Sequence, residues 1–153
     1  MLFLFGIYSG LRISDILKLR VRDVKGKDKI IMKEMKTKKD RRFQINKKLK
    51  KELDNYIKEK KDYEFLFKSR KGCNKPITRQ QAWQILKEAG EKFGIESIGT
   101  HTLRKTFGYH LYMQTKNIAL VQKILNHSSP EITMVYIGIT QDAMDKAINN
   151  LNF

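Results

Sequence analysis

Four short stretches of this 153-residue chain carry side chains suited to gripping or attacking a phosphate. The first is Gly10-Leu-Arg-Ile-Ser-Asp15. An arginine set between apolar neighbours at a helix start calls for an anionic companion. Asp15 shares its helical face three residues on, so a structural Arg12–Asp15 pair and a bound anion both remain open. The second is His101-Thr-Leu-Arg104. Residues three apart on a helix project together, while Leu103 between them faces the core. Two hydrogen-bonding groups beside free N–H groups at a helix end suit an anion, although a solvated pair has the same pattern. The third is Leu125-Asn-His127, a histidine at a helix C-terminus, placed either to cap the helix dipole or to act. The fourth is Tyr136. A nine-residue step on one continuous helix turns it by about 180° from His127. The Ser128-Ser-Pro130 break removes that constraint and lets both face one pocket, while a core or interface tyrosine, the commoner case for any single tyrosine, stays open.

Charge agrees with a phosphate ligand. The chain has 32 Lys+Arg against 16 Asp+Glu, a formal charge of +16. Arg20 to Lys71 alone holds 21 basic and 9 acidic residues, which is +12 of that excess. Such a surplus repels itself unless a polyanion is expected. Nucleic acid leads, because each neutralised phosphate releases condensed counterions. An anionic membrane comes second, since the lysines are not arrayed along one amphipathic helix. A hydrophobic content of 41%, only two prolines and nine glycines argue against a disordered or collagenous chain. Cys73, the single cysteine, excludes an internal disulfide framework or a cysteine-cluster metal site and fits a reducing cytoplasm. Met1-Leu-Phe-Leu-Phe reads as a buried helix. It lacks a basic leader and a cleavage site, and falls far short of the ~20 apolar residues of a membrane span.

The elements that must position these groups follow from periodicity. One domain of α+β class is expected, mainly helical with a small three-stranded antiparallel sheet. Leu4, Ile7 and Leu11 predict an opening helix broken near Ser9-Gly10. Ser14 caps a second short helix with Ile16, Leu17 and Leu19 inward. Val21–Val24, Lys29–Met32 and Arg42–Ile45 read as the three strands, with a basic tip over Lys36–Asp40. Lys48–Lys60 is a helix with Leu49, Leu53, Tyr56 and Ile57 on one face. Phe65–Phe67 is extended. Thr78 caps a helix over Arg79–Phe93, with Ala82, Ile85, Leu86 and Ala89 inward and Gly94 as its stop. Further helices span Thr102–Met113, Ile118–Leu125, and from Pro130 to about Ile139 behind the Ser129-Pro130 start signal. Gln141–Leu151 predicts a last amphipathic helix with Met144, Ala147, Ile148 and Leu151 inward.

No single one of these motifs is specific, but their order is. Gly-Leu-Arg-Ile-Ser-Asp, a β-hairpin lysine, His-x-x-Arg, then Leu-x-His followed nine residues later by Tyr resembles the tyrosine recombinase (phage integrase) family, over nearly the whole chain from Leu4 to Tyr136. The resemblance implies a catalytic pocket of Arg12, Lys36, His101, Arg104 and His127, with Tyr136 as nucleophile and Asp15 in support. Lys36-Thr37 matches the family's hairpin lysine best, with Lys38 and Lys39 as close rivals. Lys38, Lys39, Arg41 and Arg42 would track DNA from the hairpin. Asn126 stands where the family usually has glycine, and Lys105 where many members have histidine. Family members usually carry an earlier catalytic helix and a helical core-binding domain, so the chain resembles a catalytic domain shortened at its N-terminus.

The implied reaction is cleavage and rejoining of DNA strands through a covalent 3′-phosphotyrosyl link, without ATP, cofactor or metal. The implied partners are double-stranded DNA and a homotetramer on the synapse, the protein being monomeric without DNA, with no membrane partner. The segment Asp142–Phe153 packs on its own domain or docks onto a neighbour. The setting would be a bacterial cytoplasm, with a prophage or integrative mobile element as the source. A chromosome-dimer-resolving Xer-type recombinase is the near alternative, and a type IB topoisomerase shares the chemistry with a less similar spacing. A non-catalytic DNA-binding remnant and an RNA-binding protein stand as other classes. Base-stacking aromatics expected of the latter are sparse, Phe43 standing nearly alone.

Overall fold

The computed structural model of the chain describes residues 1–33, 35, 40–139, 143, 145 and 148–151, with the backbone alone at Arg41. These residues divide into two units, Met1–Arg104 and Lys105–Phe153. Each has its own hydrophobic core. The expected hairpin residues Lys36, Lys38 and Lys39, and Met144 and Ala147 of the last predicted helix, lie outside the described residues.

The first unit opens with helix α1 (Leu2–Ser9), which ends because Gly10 takes φ 58°, ψ 16°, a left-handed conformation that costs glycine little. Being apolar almost all round, α1 buries Leu2, Phe5, Gly6 and Ser9 and leaves the expected Leu4 and Ile7 only half-buried. At Gly6 an added Cβ would sit 2.4 Å from Leu103 Cδ1, so this position lets α1 touch the later helix directly. The short helix α2 (Ile13–Ile16) starts at Arg12, which has extended backbone and occupies the cap that the sequence suggested for Ser14. Ile16, Leu17 and Leu19 are buried as expected.

Among the described residues the sheet has two strands, not three: β1 (Lys29–Lys33) pairs antiparallel with β2 (Asp40–Gln44), Ile31 opposite Arg42. The expected first strand is a 3-10 turn over Val21–Asp23. Asp23 accepts the Arg20 N–H at 2.8 Å and closes the turn. Val21 and Val24 are both buried, at the spacing of one helical turn rather than the alternation of a strand.

Helix α3 (Lys47–Ile57) starts on the Asn46 side chain and buries Leu49, Leu53 and Ile57, with Tyr56 half-buried beside them. Phe65–Phe67 then crosses back extended, Leu66 N–H meeting the Leu19 carbonyl at 2.8 Å. Phe5 holds this segment and the sheet together, its ring edge-on to Phe43 and Phe67. Helix α4 (Arg79–Lys92) carries a reciprocal cap: Thr78 Oγ1 accepts the Gln81 N–H and the Gln81 side chain accepts the Thr78 N–H. It buries Ala82, Leu86 and Gly90. The expected Ile85 and Ala89 are exposed, because burial here recurs every four residues on a narrow stripe. Helix α5 (Thr100–Thr115) begins in this unit and gives Leu103 to its core.

The second unit holds the rest of α5, then α6 (Ile118–Leu125) and α7 (Pro130–Ile137). Asn126 ends α6 at φ 53°, ψ 50°. That left-handed conformation explains the residue: where glycine is usual, asparagine is the side chain that tolerates the geometry best. Ser129 Oγ accepts the Ile132 N–H and Pro130 takes the first helical position, as the sequence predicts. Gly138, at φ 85°, stops α7 at Ile137, slightly short of the expected end. Gly108 permits a close packing of α5, since its Cβ would lie 2.8 Å from Ile137 and 3.0 Å from Leu125. Of the last predicted helix, Ile148 and Leu151 are described and exposed, 63% and 60%, not inward.

Candidate active site

Arg12, Ser14, Met35, Arg79, His101 and Arg104 line one open cleft of about 400 Å³ within the first unit. No Asp or Glu is among its described lining residues. Arginine and histidine side chains thus meet from three segments far apart in the chain. The backbone explains why they stay together. The left-handed turn at Gly10 presents its carbonyl to Arg104, whose Nη1 donates to it. Arg104 is only 3% exposed. Burying a guanidinium is expensive unless strong acceptors hold it, so this bond fixes the cation and the Gly10–Arg12 segment to each other. His101 projects from the same first turns of α5 and is exposed.

Asp15 does not pair with Arg12. It is fully buried, and its Oδ1 accepts the Met35 N–H at 2.8 Å. The reason is α2's start: Arg12 is the extended cap, not a helical residue, so the two side chains leave the helix in different directions. Asp15 therefore pins the chain just ahead of Lys36. Its other oxygen has no hydrogen-bond partner among the described residues.

His127 and Tyr136 come together in the second unit. Their rings meet edge to face with centroids 4.9 Å apart. The left-handed turn at Asn126 and the fresh start at Ser129 remove the helical phase that would have set them on opposite sides. The Tyr136 hydroxyl oxygen is shielded from solvent. Lys105 Nζ lies 5.7 Å from the centre of the Tyr136 ring, within cation–π range. His127 is gripped at both ends: its N–H donates to the Gln122 carbonyl and its Nδ1 lies 3.2 Å from Thr133 Oγ1. The buried Thr133 donates its only hydroxyl proton to the Ser129 carbonyl at 3.0 Å. Thr133 must then accept, so Nδ1 of His127 carries a proton, and in the neutral ring Nε2 is the acceptor.

The structure brings Arg12, His101 and Arg104 to one cleft and His127 and Tyr136 to one corner. Arg42 is exposed on β2. Lys36, Lys38, Lys39 and the Arg41 side chain are not described. Sequence reasoning missed two residues. Arg79 carried a usable signal, a cation at the first position of a helix, where the dipole disfavours it. Thr133 carried none beyond being polar in an apolar helix.

Residues 1–142 match the Phage integrase family. Over 141 residues the chain is 59% identical to the probable integrase/recombinase YoeC of Bacillus subtilis, covering 92% of this chain and 77% of that protein. It is 32% identical over 155 residues to tyrosine recombinase XerA of Pyrococcus furiosus, covering 99% of this chain and 53% of that one. The chain thus spans about half the length of that second relative. Its fold superposes on the crystal structure of XerH site-specific recombinase bound to palindromic difH substrate with a TM-score of 0.75 at 22% identity, covering 97% of this chain and 44% of that one.

Proposed function

This chain belongs to the phage integrase family and is a tyrosine recombinase catalytic domain, and on that premise we propose that it cuts and rejoins double-stranded DNA through a 3′-phosphotyrosyl intermediate at Tyr136. The observation that carries the reading is the cleft that brings Arg12, His101 and Arg104 together. A phosphodiester is protected by its own charge, and attack by a hydroxyl concentrates more charge on the nonbridging oxygens. Arg12 and Arg104 oppose that charge with planar N–H forks, the kind of preorganised stabilisation that is commonly the largest catalytic term.

A tyrosine hydroxyl has a reference pKa of about 10, so it needs help to attack at neutral pH. In this reading His101 accepts the proton as the Tyr136 oxygen bonds to phosphorus. The bond from phosphorus to the 5′ oxygen breaks, and Lys36 protonates that leaving oxygen. His127 binds the phosphoryl group. Attack on the phosphotyrosine by a second DNA 5′ hydroxyl returns the proton and frees Tyr136, so the bond energy is conserved and no ATP is used. Integration or excision of a mobile element, on a tetrameric synapse, is the setting that the likeness to an integrase supports. No helix among the described residues is long and apolar enough to cross a membrane.

Incubation with a nicked suicide duplex tests the chemistry. An SDS-stable protein–DNA adduct forms with the native chain and is absent with Tyr136→Phe. Equal adduct from both proteins would remove Tyr136 from its role.

A further inference from the structure

The cleft holds one guanidinium more than the reaction has used. Arg79 lines it beside Arg12, His101 and Arg104. Its side chain is exposed, and it makes no hydrogen bond or ion pair with any described residue. Its backbone position is nevertheless fixed. It is the first residue of α4, directly behind Thr78, whose reciprocal bonds with Gln81 lock that first turn. The location is electrostatically wrong for a cation, because the helix dipole places partial positive charge at this end. The first turn of α4 contains no acidic residue to offset it. No described residue offsets Arg79, whereas an anion in the cleft would satisfy both the guanidinium and the helix end.

One phosphodiester carries a single negative charge, which Arg12 and Arg104 already oppose. A DNA strand presents a further charge about every 3.4 Å of helix axis. We propose that Arg79 grips a phosphate adjacent to the scissile one, so that the cleft binds two successive phosphates of the cleaved strand. Arg79 then holds the strand, and its contribution appears in DNA binding rather than in the chemical step. The proposal rests on the cleft being the DNA site described above.

The test uses duplexes in which one phosphate at a time, on either side of the cleavage position, is replaced by a neutral methylphosphonate. At low ionic strength the native chain should lose about tenfold in affinity at one flanking position. Arg79→Ala should bind the unmodified duplex about tenfold more weakly, with a log–log salt slope shallower by about 1. It should lose nothing further at that one position while matching the native chain at the others. At saturating DNA its adduct should form within about threefold of the native rate, and Arg79→Lys should keep the salt slope. Native affinity, slope and methylphosphonate profile in Arg79→Ala overturn the proposal. So does a collapse of adduct formation at saturating DNA, which would put Arg79 on the scissile phosphate. If the native chain forms no adduct but the methylphosphonate difference persists, the role given to Tyr136 fails and that of Arg79 stands.

Discussion

At the scale of single residues, main-chain geometry and one-proton accounting define the site more tightly than charge does. Thr133 has one hydroxyl proton and gives it to the Ser129 carbonyl, so it dictates that His127 Nδ1 is protonated. A neutral His127 then cannot donate from Nε2; to hydrogen-bond a phosphoryl oxygen it must be an imidazolium. Thr133→Val removes the acceptor and leaves a buried donor unmet. The expected result is a loss of about 1–3 kcal/mol in urea unfolding. Nitrogen-resolved imidazole NMR should also show a neutral ring redistributed between tautomers. An unchanged tautomer in that variant would mean that another group orients the ring. The sequence exposed the identities of His127 and Tyr136 but not this relation, because a hydroxyl's bonding direction leaves no trace in spacing.

At the scale of elements, helix start and stop signals were the most legible part of the chain. Gly10, Thr78, Gly94 and Ser129-Pro130 each did what their local chemistry demands, and α6 matched its predicted span. Tertiary context decided what was missed. Val21–Val24 contains β-branched residues, yet Asp23 folds back to cap a turn and the core takes both valines at a three-residue step. In α1, apolar side chains on every side hid which face would be buried. Arg12 fell at a cap rather than inside a helix, which undid its expected pairing with Asp15. Helix α7, which carries Tyr136, supplies a prediction of its own. The Glu131 carboxyl is held below its usual range, first by a hydrogen bond from Ser129 and then by a backbone N–H. A depressed folded-state pKa means that the contribution is complete above the unfolded value of 4.5 and is lost as pH falls through the lower folded value. The protection of α7 amides relative to their intrinsic exchange rates should therefore weaken as pH falls below 4.5. Glu131→Gln should flatten that dependence; a variant that keeps the full acid response would locate its cause elsewhere.

At the scale of the whole chain, the division into two units separates cores of very different size. The first gathers Phe5, Leu49, Leu53, Leu66, Leu86 and many more. Among the described residues the only hydrophobic side chains the second buries are Val121, Leu125 and Ile137, with half-buried neighbours such as Phe107 and Leu111. Local stability follows apolar burial. Native-state hydrogen exchange should find α6 and α7 opening at a lower free energy than α3 and α4; one common opening energy for all four would show a single cooperative unit. The guanidinium groups of the cleft belong to the sturdier half and the phenol to the weaker one. Under the role proposed for Tyr136, mild heat or a destabilising change in the smaller core would yield a species that still binds DNA yet has lost its blade. Such a species would compete with intact copies for the same site, so partial damage would be more harmful to the process than complete loss of the protein.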